Sequence, residues 1–110
     1  MKIIKNQREK SICKIIKNDK AIGTGFLCYV EELKKIKTLI TAFHVLGEEE
    51  LIIGNEIQIT FNDDDIIILK IEGPRYIYAS RKEDITIIEI LDSDNLQNYN
   101  FLEIEDYIYW

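Results

Sequence analysis

"GTGFLCYVEELKKIKTLITA", residues 23–42, holds two apolar runs rich in β-branched and aromatic residues, joined by a charged connection at 32–37. Such side chains fit the pleated, half-buried surface of a sheet. Two such runs with a short solvated link between them read as paired strands. The second run, residues 37–42, is continuous in its apolarity, which predicts burial on both faces. Reading this stretch as a hairpin decides the fold class, because its neighbours repeat the pattern.

Upstream, "SICKIIK" (11–17) is a β-prone strand and "NDKAIG" (18–23) a polar turn. Downstream, 45–51 is a short, helix-like turn, and "NEIQITFN" (55–62) alternates polar and apolar residues with the period of a half-buried strand. "IIILKIE" (66–72) is a fifth strand, stopped by Gly73 and the single proline, Pro74. "RYIYAS" (75–80) is extended, "RKED" (81–84) is a charged corner, and "DITIIEIL" (84–91) is a sixth strand. Short strands about ten residues apart, without amphipathic helices between them, predict an all-β fold. The expectation is a single small antiparallel six-stranded β-barrel, with residues 1–110 as one domain.

Composition agrees with a folded chain. At 110 residues and 13.0 kDa there is material for one core, and isoleucine, a residue that suits the half-buried surface of a sheet, occurs 23 times. The net charge of −6, with acidic runs at 47–50 and 62–65, opposes nucleic-acid binding, which needs clustered Lys and Arg. The basic "EELKKIK" (31–37) is short and reads as a solvated hairpin tip. The late aromatics Tyr76, Tyr78, Tyr99, Tyr107, Tyr109 and Trp110 read as barrel-core packing rather than a base-stacking platform.

No apolar stretch approaches the roughly 18 residues of a membrane span, and "MKIIKNQREKS" has no secretory core, so no membrane partner is expected. Two cysteines without a leader predict a reduced, cytoplasmic setting. Cys13 and Cys28 either face each other across a hairpin or are small buried hydrophobes, the commoner fate. One histidine and two distant cysteines make a poor metal site, and no metal or cofactor is expected.

Groups able to do chemistry are few. His44, the only histidine, follows the third strand, and Asp84 opens the sixth. Each has a plain structural explanation, as a core histidine and as a strand-end cap. Together they are the two parts of a general base, an imidazole and an acceptor that holds its tautomer. Two strand ends can meet at a barrel rim.

"GTGFLC" (23–28), "LITAFHV" (39–45) and "DITIIEI" (84–90) together resemble the first half of the trypsin-like (chymotrypsin-fold) serine peptidases, in that family's order and at roughly its spacing. The resemblance runs from about Ser11 to the end of the chain. It implies that His44 is the general base and Asp84 its orienting carboxylate. Where secreted members carry a cysteine after the histidine, this chain has Val45, so Cys28 lacks that partner. Phe43 stands where a small residue is common, and no N-terminus suited to activation by cleavage is present.

The family's nucleophile lies in a Gly-x-Ser-Gly or Gly-x-Cys-Gly loop of a second barrel, and no glycine here is followed two positions later by Ser or Cys. Ser11, Ser80 and Ser93 are poorly placed substitutes. The resemblance therefore implies the N-terminal half of a serine endopeptidase, inactive by itself. A peptide or protein would be the substrate once a second barrel completes the site. The alternative is a non-catalytic β-barrel interaction module derived from a peptidase, docking through its exposed inter-barrel face.

Overall fold

The computed structural model describes residues 11–30, 36–61, 66–96, 99 and 101–103. The charged tip at 31–35, the acidic run at 62–65, residues 1–10 and the terminal stretch 104–110 lie outside the described residues. The fold is all-β. Its strands are β1 (Ile12–Lys17), β2 (Lys20–Val30), β3 (Ile36–Thr41), β4 (Glu56–Thr60), β5 (Ile67–Lys70), β6 (Ile77–Ser80), β7 (Ile85–Glu89) and the two-residue β8 (Leu102–Glu103). A 3-10 turn, Asp92–Asp94, lies between β7 and β8.

Seven strands form one antiparallel sheet in the order β5-β4-β1-β2-β3-β7-β6, and β8 runs parallel to the end of β2. The segment β4-β1-β2-β3 is a Greek key, three hairpin-linked strands with the fourth returning beside the first. The expected six-stranded count is corrected here. The extended stretch at 75–80 contributes a strand of its own, β6, which pairs with β7 from Ile77↔Ile88 to Ser80↔Ile85.

The sheet curls into a half-barrel. Its edge strands, β5 and β6, run in the same direction because six antiparallel steps separate them. Only residues 71–76 connect them. Paired parallel strands need a crossover of about a dozen residues or more, so this link turns the corner without a ladder between the edges. It also forces the curl, because a flat sheet of seven strands would be about 29 Å wide and the seven extended steps from Lys70 to Ile77 reach only about 23–25 Å.

The core lies inside the curl. Leu27, Leu39, Ile88 and Ile77 form a row across β2, β3, β7 and β6, and Ile15 and Ile59, paired across β1 and β4, pack into the same core. Each fully buried Ile or Leu contributes roughly 1.5–3 kcal/mol. Gly25 makes room for this row, since a Cβ there would meet Leu39 Cδ1 at 3.0 Å and Ile15 Cδ1 at 3.2 Å. On the opposite face of the sheet, Cys28, Val30 and Ile40 form a second buried cluster with Phe26, Ile85 and Ile87 around it. This cluster explains why β3 is buried on both faces from Thr38 to Thr41, as its apolarity predicts.

The two cysteines settle on opposite faces. Cys13 pairs with Gly25 and enters the main core, while Cys28 belongs to the outer cluster, and neither forms a disulfide. The late aromatics divide. Tyr99 packs on Phe61 with ring centroids 4.3 Å apart, next to the core. Tyr76 and Tyr78, expected inside, are exposed along edge strand β6 and its approach.

Candidate active site

Strand register brings the two candidate residues together. Thr41 of β3 pairs with Thr86 of β7, so the chain leaving β3 and the chain entering β7 share one rim. After β3 the backbone makes a single tight turn, with the N–H groups of Val45 and Leu46 both donating to the Ala42 carbonyl at 3.0 and 3.2 Å. His44 rides on this turn. Before β7, residues 81–84 form a hairpin corner in which the Asp84 N–H donates to the Arg81 carbonyl at 3.3 Å. Asp84 takes a left-handed conformation with φ 52°, which aspartate tolerates better than most residues.

The carboxylate of Asp84 grips His44 twice. Its Oδ1 accepts the His44 backbone N–H at 2.9 Å, and its Oδ2 lies 2.8 Å from Nδ1 of the ring. The His44 N–H and then the His44 ring hold the Asp84 carboxyl below its ordinary value, with the Phe43 N–H adding a smaller effect. Asp84 is therefore ionised at neutral pH and can only accept, which puts the proton of a neutral ring on Nδ1. Nε2 then carries the lone pair. It has no partner among the described residues, and the side chain is 73% exposed.

The surroundings lock the turn down. Val45 packs on Gly23, where an added Cβ would meet Val45 Cγ2 at 2.6 Å. Thr41 Oγ1 donates to the Thr24 carbonyl and Thr86 Oγ1 to the Leu46 carbonyl, each at 2.8 Å. The Thr41 hydroxyl and the Gly23–Val45 contact thus join the first two motifs, and the Thr86 hydroxyl ties the third to Leu46, the residue just past the second. Outside, the Arg81 guanidinium lies 5.2 Å from the Phe43 ring centroid and pairs with Glu48 at 3.0 Å. No local sequence signal marks these roles, although both threonines stand inside the motifs quoted above.

The serines do not complete the site. Ser80 Oγ accepts the Glu83 N–H at 3.1 Å and so caps the corner, Ser93 is exposed on the 3-10 turn, and Ser11 is buried. No group of three metal-ligating residues occurs among the described residues. What the arrangement can do is accept a proton at Nε2 and stabilise the resulting imidazolium through Asp84.

A second charged pair was missed entirely. Arg75, from the β5–β6 link, meets Asp94 of the 3-10 turn in a two-pronged pair at 2.7 and 3.0 Å, and both side chains are buried. Arg75 Nη1 also donates to the Glu89 carbonyl, and Asp94 Oδ2 accepts the Leu91 N–H. The polar run at 92–100 carried no hint that one of its carboxylates turns inward. This pair is structural, tying the sheet's corner to the segment after β7.

No protein-family model, curated protein or solved structure matches this chain.

Proposed function

We propose that this chain forms the N-terminal barrel of a trypsin-like serine endopeptidase, with His44 as general base and Asp84 as its orienting carboxylate. One observation carries the reading, the double grip of Asp84 on the backbone N–H and Nδ1 of His44. An exposed aspartate capping a turn needs only the backbone bond. Engaging the ring nitrogen as well selects a tautomer and leaves Nε2 open, which serves proton transfer and not packing.

In the proposed reaction a seryl hydroxyl attacks a peptide carbonyl, its proton passes to Nε2, and the imidazolium later returns it to the leaving amine. The nucleophile and the amides that stabilise the oxyanion come from a second barrel. Peptides or proteins are the substrates, and two buried cysteines outside any disulfide suit a reducing, cytoplasmic setting.

The test uses the complete gene product and a fluorophosphonate, which phosphonylates serine hydroxyls activated by a neighbouring imidazole. Labelling together with peptide hydrolysis, both lost in His44→Ala, is the expected result. A product that is never labelled, or whose hydrolysis ignores His44→Ala, removes the enzyme reading. It then leaves a non-catalytic β-barrel interaction module, which the serine placement favours, since the described ring contacts no hydroxyl.

A further inference from the structure

His44 and Asp84 cannot hold their own geometry. Their side chains are 73% and 51% exposed, and pairs so open to water exchange partners readily and contribute little to fixing a structure. Two hydrogen bonds at 2.9 and 2.8 Å nevertheless require the turn at 42–46 and the corner at 81–84 to be set against each other closely. Something less exposed must do that.

Thr86 is fully buried, and its Oγ1 donates to the Leu46 carbonyl at 2.8 Å. It lies two residues past Asp84, and Leu46 lies two residues past His44. One buried bond therefore joins the two segments directly behind the exposed pair. We infer that Thr86 is a positioning residue, whose hydroxyl sets the His44 turn against the Asp84 corner so that base and carboxylate meet.

The fold itself does not ask for this hydroxyl. Thr86 occupies an inward position of β7 beside Ile88, where valine has the same shape and the same liking for a strand. A hydroxyl there costs desolvation that only its one bond offsets. That bond is directed at the segment carrying His44, while Gly23 and Val45 support the turn from β2. The functional meaning of this placement rests on the base-and-carboxylate reading above, but its geometry can be read without catalysis.

His44 is the only histidine, so long-range proton–nitrogen spectra of the labelled chain report its tautomer without overlap. Carbon spectra of Asp84 report its carboxyl titration. In its neutral form the wild-type ring holds its proton on Nδ1, and Asp84 titrates below the ordinary range. Thr86→Val is expected to move the proton toward Nε2 and to raise the Asp84 midpoint toward the ordinary range, and Thr86→Ser to restore both. If Thr86→Val lowers only thermal stability and leaves both signals as in wild type, the inference is overturned.

Should the valine variant not fold, Thr86→Cys keeps the size with a weaker donor. Both signals then shift partway, and unchanged signals overturn the inference equally. A peptidase assay that fails leaves these signals standing, and wild-type signals in Thr86→Val leave the peptidase reading standing.

Discussion

Thr41 and Thr86 face each other across β3 and β7, Thr41 donating its hydroxyl to the Thr24 carbonyl and Thr86 to the Leu46 carbonyl of the turn that carries His44. His44 is three residues past one of them and Asp84 two before the other. The pairing of two inward threonines is thus what places an imidazole and a carboxylate 40 positions apart within hydrogen-bond reach.

Asp84→Asn is expected to reverse the tautomer of His44. A carboxamide in the same place can donate to Nδ1, which moves the ring proton to Nε2 and removes the lone pair that faces solvent. Nitrogen spectra of the single histidine show the change directly. In the complete gene product the same substitution lowers turnover on the order of 10⁴-fold if the pair works as proposed. A wild-type tautomer in the variant would contradict the assignment of Nδ1 as donor.

Acid weakens the fold through Asp84. Its folded pKa lies below the unfolded one, so its contribution is fully present above the unfolded value of about 4 and is lost as pH falls through the folded value. Glu50, held low first by the Gly47 N–H and then by Lys17, behaves with the same sign. Urea midpoints followed downward from pH 5 therefore decline, and the decline is shallower in Asp84→Asn. Equal slopes in the two proteins would show that Asp84 is unperturbed.

Cys13 stays unreactive while the chain is folded. Burial is the largest influence on its thiol and pushes the pKa up to about 12, so almost no thiolate forms near neutrality. Burial and the opposite faces of the two cysteines also forbid a disulfide between them in the native state. Alkylation at neutral pH should follow the unfolding rate for Cys13. Rapid labelling of Cys13 in native buffer, or a Cys13–Cys28 crosslink, would contradict the packing described.

Breaking the buried pair costs more than any change at the exposed one. Asp94→Asn leaves the Arg75 guanidinium buried without its counter-charge, and about 3–5 kcal/mol of stability is lost. Arg75 Nε already lacks a hydrogen-bond partner among the described residues, so the guanidinium is incompletely satisfied even with the pair intact. Arg75→Met combined with Asp94→Leu removes both charges and recovers much of the loss. Urea denaturation of the three variants gives the comparison, and a double variant no better than the single one would show that the pair is net stabilising.

Much of the fold was legible because it is written locally. Alternation in "NEIQITFN" and continuous apolarity in "KTLITA" report how many faces a strand buries, and β4 and β3 have those burial patterns. "RYIYAS" misled because Tyr76 and Tyr78 look like core aromatics. An edge strand can leave such rings outside, and being an edge is a property of the whole sheet.

By itself the sequence determined an all-β chain, the positions of most of its strands and two residues able to form a base and its acceptor. These follow from side-chain type and period, which act over a few neighbours. Tertiary structure alone decided that seven strands curl without a ladder between their edges, that the cysteines part to opposite faces, and that Arg75 finds Asp94. It also decided that Thr86 reaches Leu46 behind the pair. Register and curl settle those contacts, and both depend on how every strand packs at once, a balance no single stretch of residues encodes.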